Sequence, residues 1–128
     1  MSVIVTGSSG FIGKRICDFL DQKNRKIIKI TRTNLGDSSS DLICDLEFEN
    51  LKKGAMLGSE TIFHLAGLAH DVSNSKKNIE KYIKLNFEAT VNLALQASEE
   101  GVNNFIFIST VKAGSLDYLL NPFNLKSK

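Results

Sequence analysis

Val3-Ile4-Val5-Thr6-Gly7-Ser8-Ser9-Gly10-Phe11-Ile12-Gly13 is the stretch on which the fold turns. A short β-branched run meets three evenly spaced glycines. Behind them Phe11, Ile12, Ile16, Phe19 and Leu20 recur at helical spacing as far as Gln22. In a strand–turn–helix of this kind, Gly7 permits a tight turn and Gly13 lets the helix pack closely on the strand. Gly10 lets a pyrophosphate approach the backbone, and the helix N-terminus offers it free N–H groups and the positive end of a dipole. A Walker loop is excluded, because its first glycine and its Ser/Thr would fall on Ser8 and Arg15. The G-x-G-x-x-G form is absent too, since its first glycine would fall on Ser8; the pattern here is G-x-x-G-x-x-G.

Working outward, Lys26 to Thr31 reads as a second strand and Asn34 to Ser40 as a Gly/Ser/Asp loop. Leu42-Ile43-Cys44 is a third apolar stretch, terminated by Asp45. Phe48, Leu51 and Ala55 predict a weak helix kept short by Gly54 and Gly58. Thr61 to Leu65 is a fourth strand ending at Ala66-Gly67. A long helix is expected from about Lys77 to Glu99, with Gly101 as its C′ residue. Phe105 to Ile108 is the fifth strand. The apolar runs are continuous rather than alternating, as in strands covered on both faces. The expected fold is α/β, an incomplete Rossmann-like doubly wound parallel sheet of about five strands in the order 3-2-1-4-5. The last strand is expected as an exposed or partner-binding edge, because residues 109–128 show no clean periodicity.

The 128 residues fit one domain with a single core. Sixteen basic and 14 acidic side chains leave a net charge of +2 and are interspersed, which argues against a nucleic-acid or anionic-membrane binder. Cys17 and Cys44 sit in apolar surroundings without C-x-x-C spacing and are expected as buried, reduced thiols, as in a cytoplasmic protein. No apolar run reaches the ~20 residues of a membrane span, and the N-terminus has no basic leader of a signal peptide.

The TGxxGxxG turn in this context resembles that of the extended short-chain dehydrogenase/reductases, specifically the NAD(P)-dependent sugar-nucleotide epimerases and dehydratases. The resemblance continues through Glu60-Thr61-Ile62-Phe63-His64-Leu65-Ala66-Gly67-Leu68, through Tyr82 to Thr90 with Asn86 inside, and through Val102 to Thr110. It covers nearly all of residues 2 to 113. It implies an NAD(P)-binding domain over residues 1–113, followed by an irregular tail over 114–128.

The resemblance implies cofactor contacts at Gly7, Ser9, Gly10, Phe11, Ile12 and Gly13. Asp45 and Leu46 would lie against the adenine, although Asp45 reads equally as a strand-end or capping aspartate. Leu65, Ala66 and Gly67 would let the adenosine ribose and phosphates lie over the strand end, and Asn86 would bond near the cofactor. The second strand ends Ile30-Thr31-Arg32, with no carboxylate before Asp37. The feature that favours NAD is missing and Arg32 could pair with a 2′-phosphate, so the expectation leans to NADP, with a solvated Arg32 as the alternative. Thr110 matches the family's catalytic Ser/Thr, or is simply a hydroxyl at a strand end. His64 reads as a core or crevice histidine. Neither it nor His70 has the companions of a metal ligand, so no metal is expected.

The family's acid/base pair is a Y-x-x-x-K on a helix after the fifth strand. Four residues after Tyr118 stands Pro122, and Lys126 and Lys128 have the wrong spacing. These residues alone are therefore expected not to turn over. Three readings follow: part of an epimerase/dehydratase that takes a nucleotide sugar only when the missing half is supplied, an NAD(P)- or partner-binding module, or an inert fragment. The long helix carries two apolar stripes, Ile79/Ile83/Phe87/Val91 and Leu85/Ala89/Leu93, where one sheet face needs one. Self-association through this helix or the Phe105–Ile108 edge is expected.

Overall fold

The computed structural model describes residues 1–34, 36, 40–67 and 76–108, the last span with side chains from residue 80 onward. Strand β1 (Ser2–Thr6) leads into helix α1 (Phe11–Gln22), followed by β2 (Lys26–Thr31), β3 (Leu42–Ile43) and β4 (Ser59–His64). A helical rod then runs through α2 (Lys76–Ile83), a π-helical turn (Lys84–Glu88) and α3 (Ala89–Glu99), and β5 (Asn104–Phe107) completes the series. All pairings are parallel and the strand order is β3-β2-β1-β4-β5, as expected of a Rossmann-like sheet.

β1 is buried along its whole length because both faces of the sheet are covered at its centre. Val3 and Val5 point to one side and pack with Cys17 and Leu20 of α1. Ile4 points to the other and joins Ile30, Cys44, Leu51, Met56, Ile62, Leu93 and Ala97 under α3. Side-chain hydrogen bonds bracket the β1–β4 pair, Ser2 Oγ to Ser59 Oγ at 2.9 Å and Thr6 Oγ1 to His64 Nδ1 at 2.8 Å. β5 is the sheet edge, and three of its four residues are exposed.

Both long helices end in the same way. Gly101, at φ +79°, follows α3, and the Val102 and Gly101 N–H groups return to the carbonyls of Ala97 and Ser98. After α1 the left-handed position falls to Asn24, at φ 54°, with Arg25 N–H on Leu20 O and Asn24 N–H on Asp21 O. Each stop turns the chain sharply enough to start the next strand within a few residues. Arg25 then pairs with Glu60 across the sheet's N-terminal end.

The weak helix expected from Phe48, Leu51 and Ala55 does not form. Residues 46–48 and 53–58 are turns, and Gly54 and Gly58 take φ of +86° and +77°, which right-handed helix excludes. Glu100 holds this crossover instead. Its carboxylate accepts the N–H groups of Gly54 and Met56, each at 2.7 Å, and Gln96 Nε2 at 2.7 Å. The loop thereby drops Met56 into the core, fully buried. Burial alone would raise the Glu100 pKa, but the bonds from Gln96, Gly54 and Met56 together with nearby Lys53 outweigh it and hold the carboxyl below its ordinary value.

Glu100→Ala is expected to cost about 2 kcal/mol in urea denaturation, because two backbone donors lose a charged acceptor. A lowered carboxyl pKa contributes stability that is full above the ordinary carboxylate range and is lost as pH falls through the folded value. The acid sensitivity of the wild-type chain below about pH 4.5 should therefore be blunted in Glu100→Gln.

Candidate functional site

The parallel strands place their C-terminal ends on one side, and there the loops leaving β1, β2, β3 and β4 enclose a cavity of about 330 Å³. In doubly wound sheets this is where the strand order reverses and the crevice opens. Its walls are Gly7 to Gly10, Ile30 to Thr33, Cys44 to Glu47, Leu65 to Gly67, and Leu85 from the π-turn.

The glycine turn is shaped by backbone contact. Gly7 takes φ +67°, and a Cβ on it would stand 2.7 Å from the Ala66 nitrogen and the Leu65 carbonyl carbon. A Cβ on Gly13 would stand 2.1 Å from the Gly7 oxygen. Only backbone lies at either place, so no side chain can yield. Gly10 differs, since a Cβ there would meet nothing but the Gly7 oxygen at 3.3 Å. Gly10 is also the N-cap of α1, with no side-chain cap, and the first turn contains no acidic residue. The leading amides of a 12-residue helix thus have no side chain bonded at the cap, and its positive dipole end faces no carboxylate of its own first turn. That arrangement fits an anionic group such as a pyrophosphate. Ser8 Oγ is the one buried side-chain polar atom without a partner among the described residues.

Of the residues singled out from sequence, Gly7, Ser9, Gly10, Arg32, Asp45, Leu46, Leu65, Ala66 and Gly67 all line this cavity. Phe11, Ile12 and Gly13 form the first turn of α1 beside it; Phe11 is exposed, under the guanidinium of Arg15 at 4.5 Å, and Gly13 is buried. Asn86 sits in the π-turn with its amide over the end of β4, where a Cβ on Gly67 would come within 2.9 Å of Asn86 Oδ1. Asp45 both lines the cavity and accepts the Glu47 N–H at 3.1 Å, a turn contact at the end of β3 with no helix behind it to cap. Arg32 is exposed at the end of β2, beside Thr31 and Thr33. Thr110, His70, Tyr118, Lys126 and Lys128 lie outside the described residues.

Sequence reasoning passed over Thr31, Thr33, Cys44, Glu47 and Leu85 as walls. Glu47 spans from this wall to Lys81 of α2 at 3.8 Å, which ties the loop after β3 to the helical rod. Burial first, then Glu49 and Asp45, push the Cys44 thiol up to about 11, so it remains a protonated, inert wall residue at neutral pH.

Sequence reasoning also passed over Thr6 and Thr90, the two partners of His64. Thr6 Oγ1 accepts the N–H groups of Leu65 at 3.1 Å and Ala66 at 3.0 Å, besides meeting His64 Nδ1. His64 Nε2 meets Thr90 Oγ1 at 2.9 Å, and the ring lies beside Phe105 and Phe107 with centroids 5.9 and 5.8 Å away. The available signals were positional: Thr6 and His64 close two strands paired in register, and Thr90 follows Asn86 by one helical turn. His64 is the core histidine its sequence context indicated.

Burial pushes the His64 imidazole from 6.5 down to about 4. Between these values the unfolded chain binds a proton that the folded chain refuses, so stability is full above pH 6.5 and falls as pH drops toward 4. The span is worth about 3 kcal/mol. Urea midpoints measured between pH 7 and about 5.5 should fall progressively, above the range where carboxylates titrate, and this slope should vanish in His64→Gln.

Comparison with known proteins agrees with this geometry. The sequence model of the NAD dependent epimerase/dehydratase family matches residues 3–115. A UDP-glucose 4-epimerase of Vibrio cholerae is 30% identical over 127 residues, covering 95% of this chain and 39% of that protein. A dTDP-D-glucose 4,6-dehydratase of Dictyostelium discoideum is 31% identical over 124 residues, 84% of this chain and 28% of that one. Among solved structures, MoeE5 in complex with UDP-glucose and NAD aligns with a TM-score of 0.74 at 29% identity, covering 87% of this chain and 37% of that chain. A UDP-glucose 4-epimerase from Thermotoga maritima, solved with UDP-glucose, gives 0.70 at 28% identity over 86% and 38%. The chain thus spans well under half the length of each of these relatives.

Proposed function

The chain belongs to the NAD dependent epimerase/dehydratase family, and from that premise we propose that it is the dinucleotide-binding portion of an NAD(P)-dependent sugar-nucleotide epimerase, dehydratase or reductase. The single observation that carries this reading is the uncapped start of α1, held against the ends of β1 and β4 by Gly7 and Gly13. In this reading the first-turn amides and Gly10 hold the pyrophosphate, Asp45 and Leu46 border the adenine, and Ala66, Gly67 and Asn86 border the ribose and phosphates. The bound dinucleotide would supply the hydride acceptor or donor for oxidation of a sugar hydroxyl. Thr110 would hydrogen-bond that hydroxyl. These 128 residues contain no Y-x-x-x-K, so the proton-transfer pair and the residues that select the sugar must come from elsewhere.

The finer cofactor reading is NADP. β2 ends at Thr31-Arg32-Thr33 without a carboxylate, and Arg32 stands exposed at the cavity wall. A guanidinium there suits a 2′-phosphate by a charge-assisted, two-pronged contact. Calorimetric titration of the chain should give NADP⁺ a lower Kd than NAD⁺. Arg32→Ala should weaken NADP⁺ by roughly tenfold and leave NAD⁺ within about twofold. Equal binding of both by the wild-type chain removes the preference for NADP, and no binding of either at millimolar concentration removes the dinucleotide reading.

The second part of the reading is self-association. On the helical rod Ala89 and Leu93 are buried against the sheet, with Leu85 half-buried beside them, whereas Ile83, Phe87, Val91 and Leu95 are exposed, Phe87 by 65%. Side chains four apart share a helix face, so these form one apolar stripe turned away from the sheet. Sedimentation equilibrium should show a dimer at tens of micromolar, and Phe87→Glu should return it to monomer. A wild-type chain that sediments as a monomer at high concentration contradicts this.

A further inference from the structure

His64 is bonded through both ring nitrogens, and counting protons gives the whole chain of bonds one direction. Thr90 Oγ1 donates its only proton to the Asn86 carbonyl at 3.0 Å. It must therefore accept from His64 Nε2–H. At the other end Thr6 Oγ1 accepts two backbone N–H groups, from Leu65 and Ala66. Its own proton is thereby directed to His64 Nδ1. The ring is neutral, with its proton on Nε2, and links a hydroxyl of β1 to a hydroxyl of α3.

This chain of bonds connects the two pieces of backbone that border the cavity on one side. Leu65 and Ala66 line it directly, and their N–H groups are held by Thr6. Asn86 belongs to the π-turn, in which the Ala89 N–H bonds to the Lys84 carbonyl, five residues back rather than four. A threonine hydroxyl that bonds back to the carbonyl four residues earlier bends a helix at that place. Thr90 does so to Asn86, while His64 holds Thr90 from the sheet side. The Asn86 amide in turn stands over Gly67, where a Cβ would come within 2.9 Å of its Oδ1.

We propose that Thr90 is a positioning residue for the dinucleotide site, acting with His64 to set Asn86 in the π-turn over Gly67. The proposal rests on the dinucleotide reading for its effect on binding, and on the hydrogen-bond chain alone for its effect on Asn86. Thr90→Val keeps the shape and removes the hydroxyl; Thr90→Ser keeps the hydroxyl.

The test is nitrogen-15 NMR of the full chain, followed by calorimetry with NAD⁺ and NADP⁺. In the wild-type chain the His64 ring should show the neutral Nε2–H tautomer. Thr90→Val should shift the Asn86 side-chain amide resonances and raise the Kd of the tighter-binding nucleotide by roughly two- to tenfold, and Thr90→Ser should restore both. A packing role alone would lower the unfolding temperature and leave the Kd of the folded chain unchanged. An Nδ1–H tautomer overturns the proposal, as do Asn86 resonances that do not move in Thr90→Val, or a Kd unchanged in that variant. If the wild-type chain binds neither nucleotide, the dinucleotide reading fails by itself, and the Asn86 resonances still decide whether Thr90 positions that residue.

Discussion

At the point where α1 begins, backbone packs directly against backbone. Gly13 stands on the carbonyl of Gly7, and Gly7 stands on the Leu65–Ala66 peptide. Three elements therefore meet with no side chain between them: the end of β1, the start of α1 and the end of β4. The dipole of α1 is aimed over the sheet because of this stacking, and the cavity opens beside it. One added methyl group at either glycine would separate the layers, and with them the walls of the site.

The rest of the sheet is arranged so that this meeting point is firm. β1 is buried on both faces and bonded to β4 by side chains as well as by backbone. The helical rod over the other face is pinned by several groups that bridge it to loops or strands, the Lys81–Glu47 pair among them. Glu100 at its C-terminal end holds the crossover at Gly54 and Met56, and Thr90 near its middle meets His64. Between these anchors Leu93 and Ala97 pack on Ile4 and Ile62. Among the described residues, no such bridge engages the outward stripe.

Much of this was legible in the sequence because the signals are local. A β-branched run, a glycine turn and a helical period give β1, the turn and α1 in order, and the alternation of strands and helices gives a parallel sheet, whose order follows from the Rossmann-like reading. Nine of the proposed cofactor residues fall on one cavity because each sits at the end of a strand or in the turn beside it. The expected helix around Leu51 failed for a reason that is not local. Leu51 and Met56 are buried as a helix would bury them, but the groups that hold their loop belong to Glu100, 44 and 46 residues away. The π-turn was equally hidden. Its apolar spacing reads as ordinary helix, and only the joint contact of Thr90 with His64 and the Asn86 carbonyl marks it.

The pairing of β1 with β4 also governs how the chain can reach this state. Thr6 and His64 are neighbours in the sheet and 58 residues apart along the chain. β1 is central, so the sheet cannot be completed until that long loop has closed, and its entropy is spent before the buried strand gains its second partner. β1, α1 and β2 can associate early through near contacts. The glycine turn takes its final contact, on the Leu65–Ala66 peptide, only when β4 arrives. The cavity walls at Leu65 and Ala66 therefore exist only once β4 is paired with β1.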